Sequence, residues 1–185
     1  MAKGEIRARM IAGAARLLAE HGPPGASFGD VLAATGASRG STYHHFPGGR
    51  TEMYSAALDL AADRALAAME GTRGEPARVV VERFIQLWRS LLTATDLRLG
   101  CAVLAVTVAE QDDGLVDRAG SIFRAWREHL SSLLTDGGCP AAQAPAVAAL
   151  TIAAVEGAVA VARAERDLTA FDLVARQLLE TLPVP

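Results

Sequence analysis

Cysteine is scarce in this chain. The two that occur among its 185 residues, Cys101 and Cys139, lie far apart and belong to no Cys/His cluster. That excludes a disulfide framework and the usual zinc spacings, and it points to a reduced intracellular setting. Aromatic residues make up only 5%. Alternating Val/Ile/Thr runs are almost missing, which argues against a sheet. Alanine and leucine fill the chain instead, within a hydrophobic content of 51%. Both favour helices, so the expected fold class is all-α, with a sizeable core. The opening stretch, MAKGEIRARMIAGAARLL, carries early charges and no uninterrupted apolar core, so no signal peptide is expected. Residues 145–162 are nearly uncharged, but they are mostly alanine and include Glu156. A weakly apolar segment with a carboxylate spans a membrane poorly, so a buried or interface helix is expected there, and the cytoplasm as the location.

Net charge is only −3, but it is unevenly spread. Residues 1–50 hold six basic and three acidic groups, a local +3, whereas the other 135 residues hold 12 basic and 18 acidic, a local −6. A basic head on an acidic body implies that only the head meets a polyanion. Apolar spacing predicts helices near 5–21, 27–35, 38–46, 50–69, 77–94, 99–110, 115–135, 141–164 and 169–181. Ile6, Met10, Ile11, Ala14, Leu17 and Leu18 form the buried stripe of the first. The expected division is a three-helix head over residues 1–49 and a helical body over 50–185.

The head carries the densest pattern. Ser27 is placed to cap a helix, with Asp30 three residues on as the capping-box acid. Phe28, Val31 and Leu32 face inward, Gly36 supplies a left-handed stop, and Ser38 caps the next short helix. Two short helices joined by a tight glycine turn, with a third to pack on, make a helix–turn–helix. Thr42 and Phe46 close its small core, leaving Arg39, Gly40, Ser41, Tyr43, His44 and His45 on the more exposed surface. These are the parts of a helix that reads double-stranded DNA. Arg39 can pair bidentately with guanine and Ser41 can bond either base type. Gly40 lets the backbone approach, and Tyr43 and His44 can donate to phosphates. Arg50 and Thr51 open a further helix whose N-terminus suits a phosphate, as does the Ser27 cap.

The segment SFGDVLAATGASRGSTYHHFPGGRTEMY resembles the DNA-binding region of the TetR family of bacterial repressors. Ser38, Gly40, Tyr43, His45, Phe46 and Arg50 stand in that family's order, and the resemblance covers roughly residues 5–60. Leu32 replaces the family's usual small alanine, and Arg50 its usual lysine, which still suits a phosphate. Gly48-Gly49 and GCAVLAVTVAE (100–110) resemble the LmrA/YxaF branch. The resemblance implies a homodimer on a palindromic operator, a small-molecule effector bound in the body, and repression that the effector relieves.

For the body, residues 141–164 are almost free of charge, and Leu168, Phe171, Leu178 and Leu179 form an apolar stripe on the last helix. A helix apolar on nearly all sides is buried within the subunit or between two, so these segments are the expected dimer contact. Phe84 with Trp88, Phe123 with Trp126, and Cys101, Leu104 and Val108 are the candidate lining of an effector cavity. Gln86, Thr107 and Glu156 are candidates to orient an effector that is neutral or aromatic. No cofactor or metal is expected: adjacent His44 and His45 point about 100° apart on a helix. Cys101 has no nearby His or acid to make a dyad, so an enzyme is not expected. The remaining alternative is a small-molecule-binding protein whose head contacts protein rather than DNA.

Overall fold

The computed structural model describes residues 3–183; the side chains of Lys3, Arg39, Ser41 and Tyr43 lie outside the described set. Among the described residues there are nine α-helices and no strand. In chain order they are α1 (Lys3–His21), α2 (Phe28–Thr35), α3 (Arg39–His45), α4 (Gly49–Glu70), α5 (Ala77–Ala94), α6 (Ala102–Ala109), α7 (Asp113–Asp136), α8 (Ala144–Glu165) and α9 (Thr169–Glu180). The chain forms two compact units, Met1–Asp63 with Cys101–Ile122, and Arg64–Gly100 with Phe123–Pro185. Helices α4 and α7 each contribute residues to both.

In the first unit, α1 buries Met10, Ala14 and Leu18 and packs on α2 and α6. A single 3₁₀ turn, Pro23–Gly25, follows it. Helix α2 starts in the expected capping box: the Asp30 N–H donates to Ser27 Oγ at 3.2 Å, and the Ser27 N–H donates to Asp30 Oδ2 at 2.9 Å. A cap of this kind contributes about 1 kcal/mol. The Ser27 hydrogen bonds also hold the Asp30 carboxyl below its ordinary range. Gly36 ends the helix at φ 65°, ψ 19°, its N–H on the Leu32 carbonyl at 2.9 Å, in the left-handed region where glycine avoids a Cβ penalty. Ser38 holds the next N-cap position in extended backbone, without a hydroxyl cap bond. Val31, Phe46, Met53, Tyr54 and Leu58 complete the core, while Phe28 and Leu32, expected inside, are half-buried.

In the second unit, α5, α8 and α9 pack on one another. Val80, Phe84, Trp88, Trp126, Leu133, Val155, Val159 and Phe171 lie in its core. Arg89 joins α5 to α9 by donating to both Asp172 carboxylate oxygens, at 2.8 and 3.0 Å. Helix α8 begins at Ala144 rather than 141. Pro145 lacks an N–H and is tolerated only in a first turn. Helix α8 is long and apolar enough to cross a membrane, but Ile152, Val155, Glu156 and Val159 bury one side of it in the core.

The α1–α2 contact sets a narrow tolerance. A Cβ built on Gly13 would lie 2.5 Å from the Thr35 methyl. Thr35 cannot swing freely, because its hydroxyl donates to the Val31 carbonyl at 2.6 Å. Gly13→Ala should therefore lower the melting temperature of the parent chain. In a Thr35→Ala background it should raise it, since alanine in a helix interior is worth about 1 kcal/mol over glycine. Thermal unfolding of the four-member cycle reads both signs.

Candidate nucleic-acid interface

Ser27 at the start of α2, Ser38 just before α3, and Gly40 and His44 within α3 are exposed. Among the described residues, apart from its chain neighbours and its own helix backbone, nothing lies within 4 Å of a Cβ built on Gly40. Arg39, Ser41 and Tyr43 fall on the same short helix, and their side chains are outside the described residues. Thr42 and Phe46 are buried, as their spacing required. His45 departs from expectation. It is only 7% exposed, its ring meets His44 edge-on at 5.3 Å, and its carbonyl accepts from Arg7 Nε at 3.4 Å. Beside the core residues Thr42 and Phe46, position 45 falls on the inner side of α3.

The start of α4 holds the remaining candidates. Arg50 donates through Nη1 and Nη2 to the two carboxylate oxygens of Glu110, at 2.8 and 3.2 Å, and its guanidinium lies 5.0 Å from the Tyr54 ring centroid. The Glu110 hydrogen bonds raise the Arg50 pKa. Burial pushes the Glu110 carboxyl up, but the Arg50 bonds and the N–H groups of Gln111 and Asp112 outweigh it and bring it below its ordinary value. The Thr51 hydroxyl donates to Asp112 Oδ2 at 2.8 Å, and the Gly48 N–H donates to Glu52 Oε2 at 2.9 Å. Glu110 and Asp112 escaped the sequence reading as partners because they lie about 60 residues from Arg50 and Thr51, a distance that no local spacing reports, although Glu110 ends the GCAVLAVTVAE segment.

The candidate effector residues divide between the units. Phe84, Trp88, Phe123, Trp126 and Glu156 belong to the second, and Cys101, Leu104 and Val108 to the first. Phe123 and Trp126 meet edge to face at 5.5 Å. The Trp88 indole N–H and the Thr151 hydroxyl are buried with no hydrogen-bond partner among the described residues. Unsatisfied buried donors are costly and mark places where water or a ligand atom completes the structure. Glu156 is also buried, at 4% exposure. Cys101 is buried, and its Sγ accepts the Leu104 N–H at 3.4 Å. Val108, by contrast, is 74% exposed. Helix α6 turns Ala102, Val103 and Val106 inward, which puts position 108 on the opposite side. Elsewhere in the second unit, a groove of about 410 Å³ is lined by Ala68, Thr72, Arg83, Gln86, Leu87 and Ser90, among others.

Residues 10–57 match the family described as "Bacterial regulatory proteins, tetR family", and residues 77–177 match "Transcriptional regulator LmrA/YxaF-like, C-terminal domain". An HTH-type transcriptional regulator of Mycobacterium tuberculosis is 36% identical, over 95% of this chain and 93% of its own. The HTH-type transcriptional regulator LmrA of Bacillus subtilis is 22% identical, over 91% and 92%. The crystal structure of a TetR-family regulator from Agrobacterium tumefaciens superposes with a TM-score of 0.85 at 21% identity, covering 99% of this chain and 100% of that one. A TetR regulator from Chloroflexus aurantiacus gives 0.77 at 28% identity, covering 96% and 94%. The chain belongs to the TetR family, with a C-terminal domain of the LmrA/YxaF-like type. It is thus a DNA-binding transcriptional regulator and not an enzyme.

The Arg50–Glu110 pair has a pH signature. The folded pKa of Glu110 is depressed, so the pair's stabilisation is fully present above the unfolded carboxylate value of about 4.3 and fades as pH falls through the folded value. Glu110→Gln should destabilise the protein by roughly 0.5–1 kcal/mol at neutral pH, the scale of a half-exposed ion pair. Denaturant titrations of parent and variant should converge on acidification.

Proposed function

We propose that this protein is a cytoplasmic repressor whose homodimer binds a palindromic operator in double-stranded DNA and leaves it when a small, mainly apolar effector binds. Residues 1–49 read the DNA; residues 50–185 hold the effector and the second subunit. The open surface of α3, behind a capped α2 and a left-handed Gly36, carries the DNA reading. Arg39 and Ser41 read bases, and Tyr43, His44, the Ser27 and Ser38 helix starts, Arg50 and Thr51 hold phosphates. Two α3 helices related by a dimer axis reach half-sites about 34 Å apart.

Dimerisation is supported by the outer side of α8. Ala146, Ala149, Leu150, Ala153, Gly157, Ala160 and Val161 are exposed and form a charge-free strip, with Leu150 at 55%, and Leu173 on α9 adds 54%. An exposed apolar strip of this kind is a common mark of a surface that a partner covers. Small residues there allow a close helix crossing, and segments 141–164 and 169–181 supply the contact. The effector reading is supported by the buried, unsatisfied Trp88 and Thr151 donors among the aromatics of the second unit. An effector acts by preferring a form whose half-site spacing does not fit DNA, each tenfold preference contributing about 1.4 kcal/mol.

Selection of bound duplexes from a random DNA library should return an inverted repeat with half-site centres about one helical turn apart. Recovery of no sequence at low salt would remove the operator reading and favour a head that contacts protein. Ala153→Glu places a charge on the exposed strip without touching the subunit core. It should halve the mass seen in sedimentation and abolish operator binding while leaving the helical signal intact.

A further inference from the structure

The start of α4 is already filled, from within. A phosphate arriving there would use three donors: the Gly48 N–H, the Arg50 guanidinium and the Thr51 hydroxyl. All three are engaged by carboxylate oxygens, those of Glu52, Glu110 and Asp112 respectively. Two of these acceptors come from one place, the corner between α6 and α7 in the first unit.

That corner is stiff. Glu110 is 6% exposed at its side chain, beneath an Arg50 that is 44% exposed. Its Oε1 also accepts from the backbone N–H groups of Gln111 at 2.9 Å and Asp112 at 3.3 Å. Asp112 in turn caps α7, its Oδ1 accepting from Gly114 at 3.0 Å and Leu115 at 3.3 Å. The carboxylates therefore cannot drift away from α4 as loose surface acids would.

Carboxylate and phosphate compete for the same chemistry. Glu110 takes the Nη1–Nη2 edge of Arg50, the fork with which arginine grips either anion bidentately. Thr51 has one hydroxyl proton, and it is committed to Asp112. While both contacts persist, a phosphate meets a neutralised arginine, a hydroxyl without a free proton and an extra negative charge. Resting on the operator-binding reading above, we infer that Glu110 and Asp112 are affinity-determining residues: they act as an internal stand-in for the DNA backbone that must yield Arg50 and Thr51 before phosphate is gripped. The protein's DNA affinity is then set partly by a corner that touches no DNA.

The test uses the full-length protein and a labelled random-sequence duplex, read by fluorescence anisotropy over a range of salt. Phosphate contacts serve every sequence, so no operator is required. Arg50→Ala should weaken binding and flatten the salt dependence. Glu110→Gln keeps an oxygen for the Gln111 and Asp112 N–H groups, so the corner survives; it should tighten binding roughly two- to fivefold, the scale of a half-exposed ion pair. Asp112→Asn should tighten it as well. In the Arg50→Ala background the Glu110→Gln effect should vanish. Asp113→Asn, on the same corner and exposed, measures the general effect of removing a charge near DNA. Weaker binding by Glu110→Gln would make Glu110 a support that orients Arg50, and would overturn the proposal. Tightening that persists without Arg50, or that Asp113→Asn matches, would reduce it to long-range repulsion and overturn it too. Failure of the parent and every variant to bind DNA would instead sink the operator-binding reading, and this inference with it.

Discussion

The first unit is organised around the phenol of Tyr54. The ring is fully buried, and its single hydroxyl proton is shared between the carbonyls of Pro23, at 2.8 Å, and Ala26, at 3.2 Å. Both carbonyls belong to the turn between α1 and α2, where that of Pro23 also accepts the Ala26 N–H at 3.3 Å. One side chain of α4 thus ties down the turn just before α2 and offers the face beneath the Arg50 guanidinium. Burial raises the Tyr54 pKa, as expected of a phenol that serves as a neutral donor. The capping box of α2 and the start of α4 keep their places relative to each other through this contact.

Around that pin the charges form a short circuit. Arg7 lies over the Phe46 ring at 5.1 Å and pairs with Glu52 at 3.4 Å, and Glu52 caps the start of α4. Arg16 pairs with Glu20 at 3.6 Å and Arg50 with Glu110 at 2.8 Å. The basic excess of the first fifty residues is therefore partly answered by acids from the same unit. The net charge of a segment overstates the field a polyanion would feel, because several of its cations already have partners.

What could be read from the chain was local. Ser27, Asp30 and Gly36 lie within ten residues of one another, and each states a backbone requirement that nothing distant can override. The all-α class and most helix spans followed for the same reason, being carried by composition and spacing. Contacts across long stretches of chain were not legible: the Glu110 and Asp112 partners of α4, the inward turn of His45 and the outward turn of Val108 depend on which neighbour a helix meets. Periodicity marks an apolar side but does not say whether it faces its own core or another subunit, and the bare strip of α8 lies on that ambiguity. Among the candidate effector residues, one ring contact follows from spacing along a single helix, that of Phe123 with Trp126.

Helix α6 bears on how the chain can be cut. It packs on α1 and on the Pro23–Gly25 turn, and residues 101–122 fold with residues up to 63 rather than with their sequence neighbours. The unit bearing the helix–turn–helix is therefore discontinuous: the polypeptide leaves it and returns. An N-terminal fragment would leave the α1 surface that α6 covers bare to water and Thr51 without Asp112, so it is not a freestanding module. Grafting this head onto another regulator's body would require a recipient whose own α6 and following corner fit the same surface. A change on the α1 surface that α6 covers therefore bears on residues 101–122 as much as on the helix–turn–helix itself.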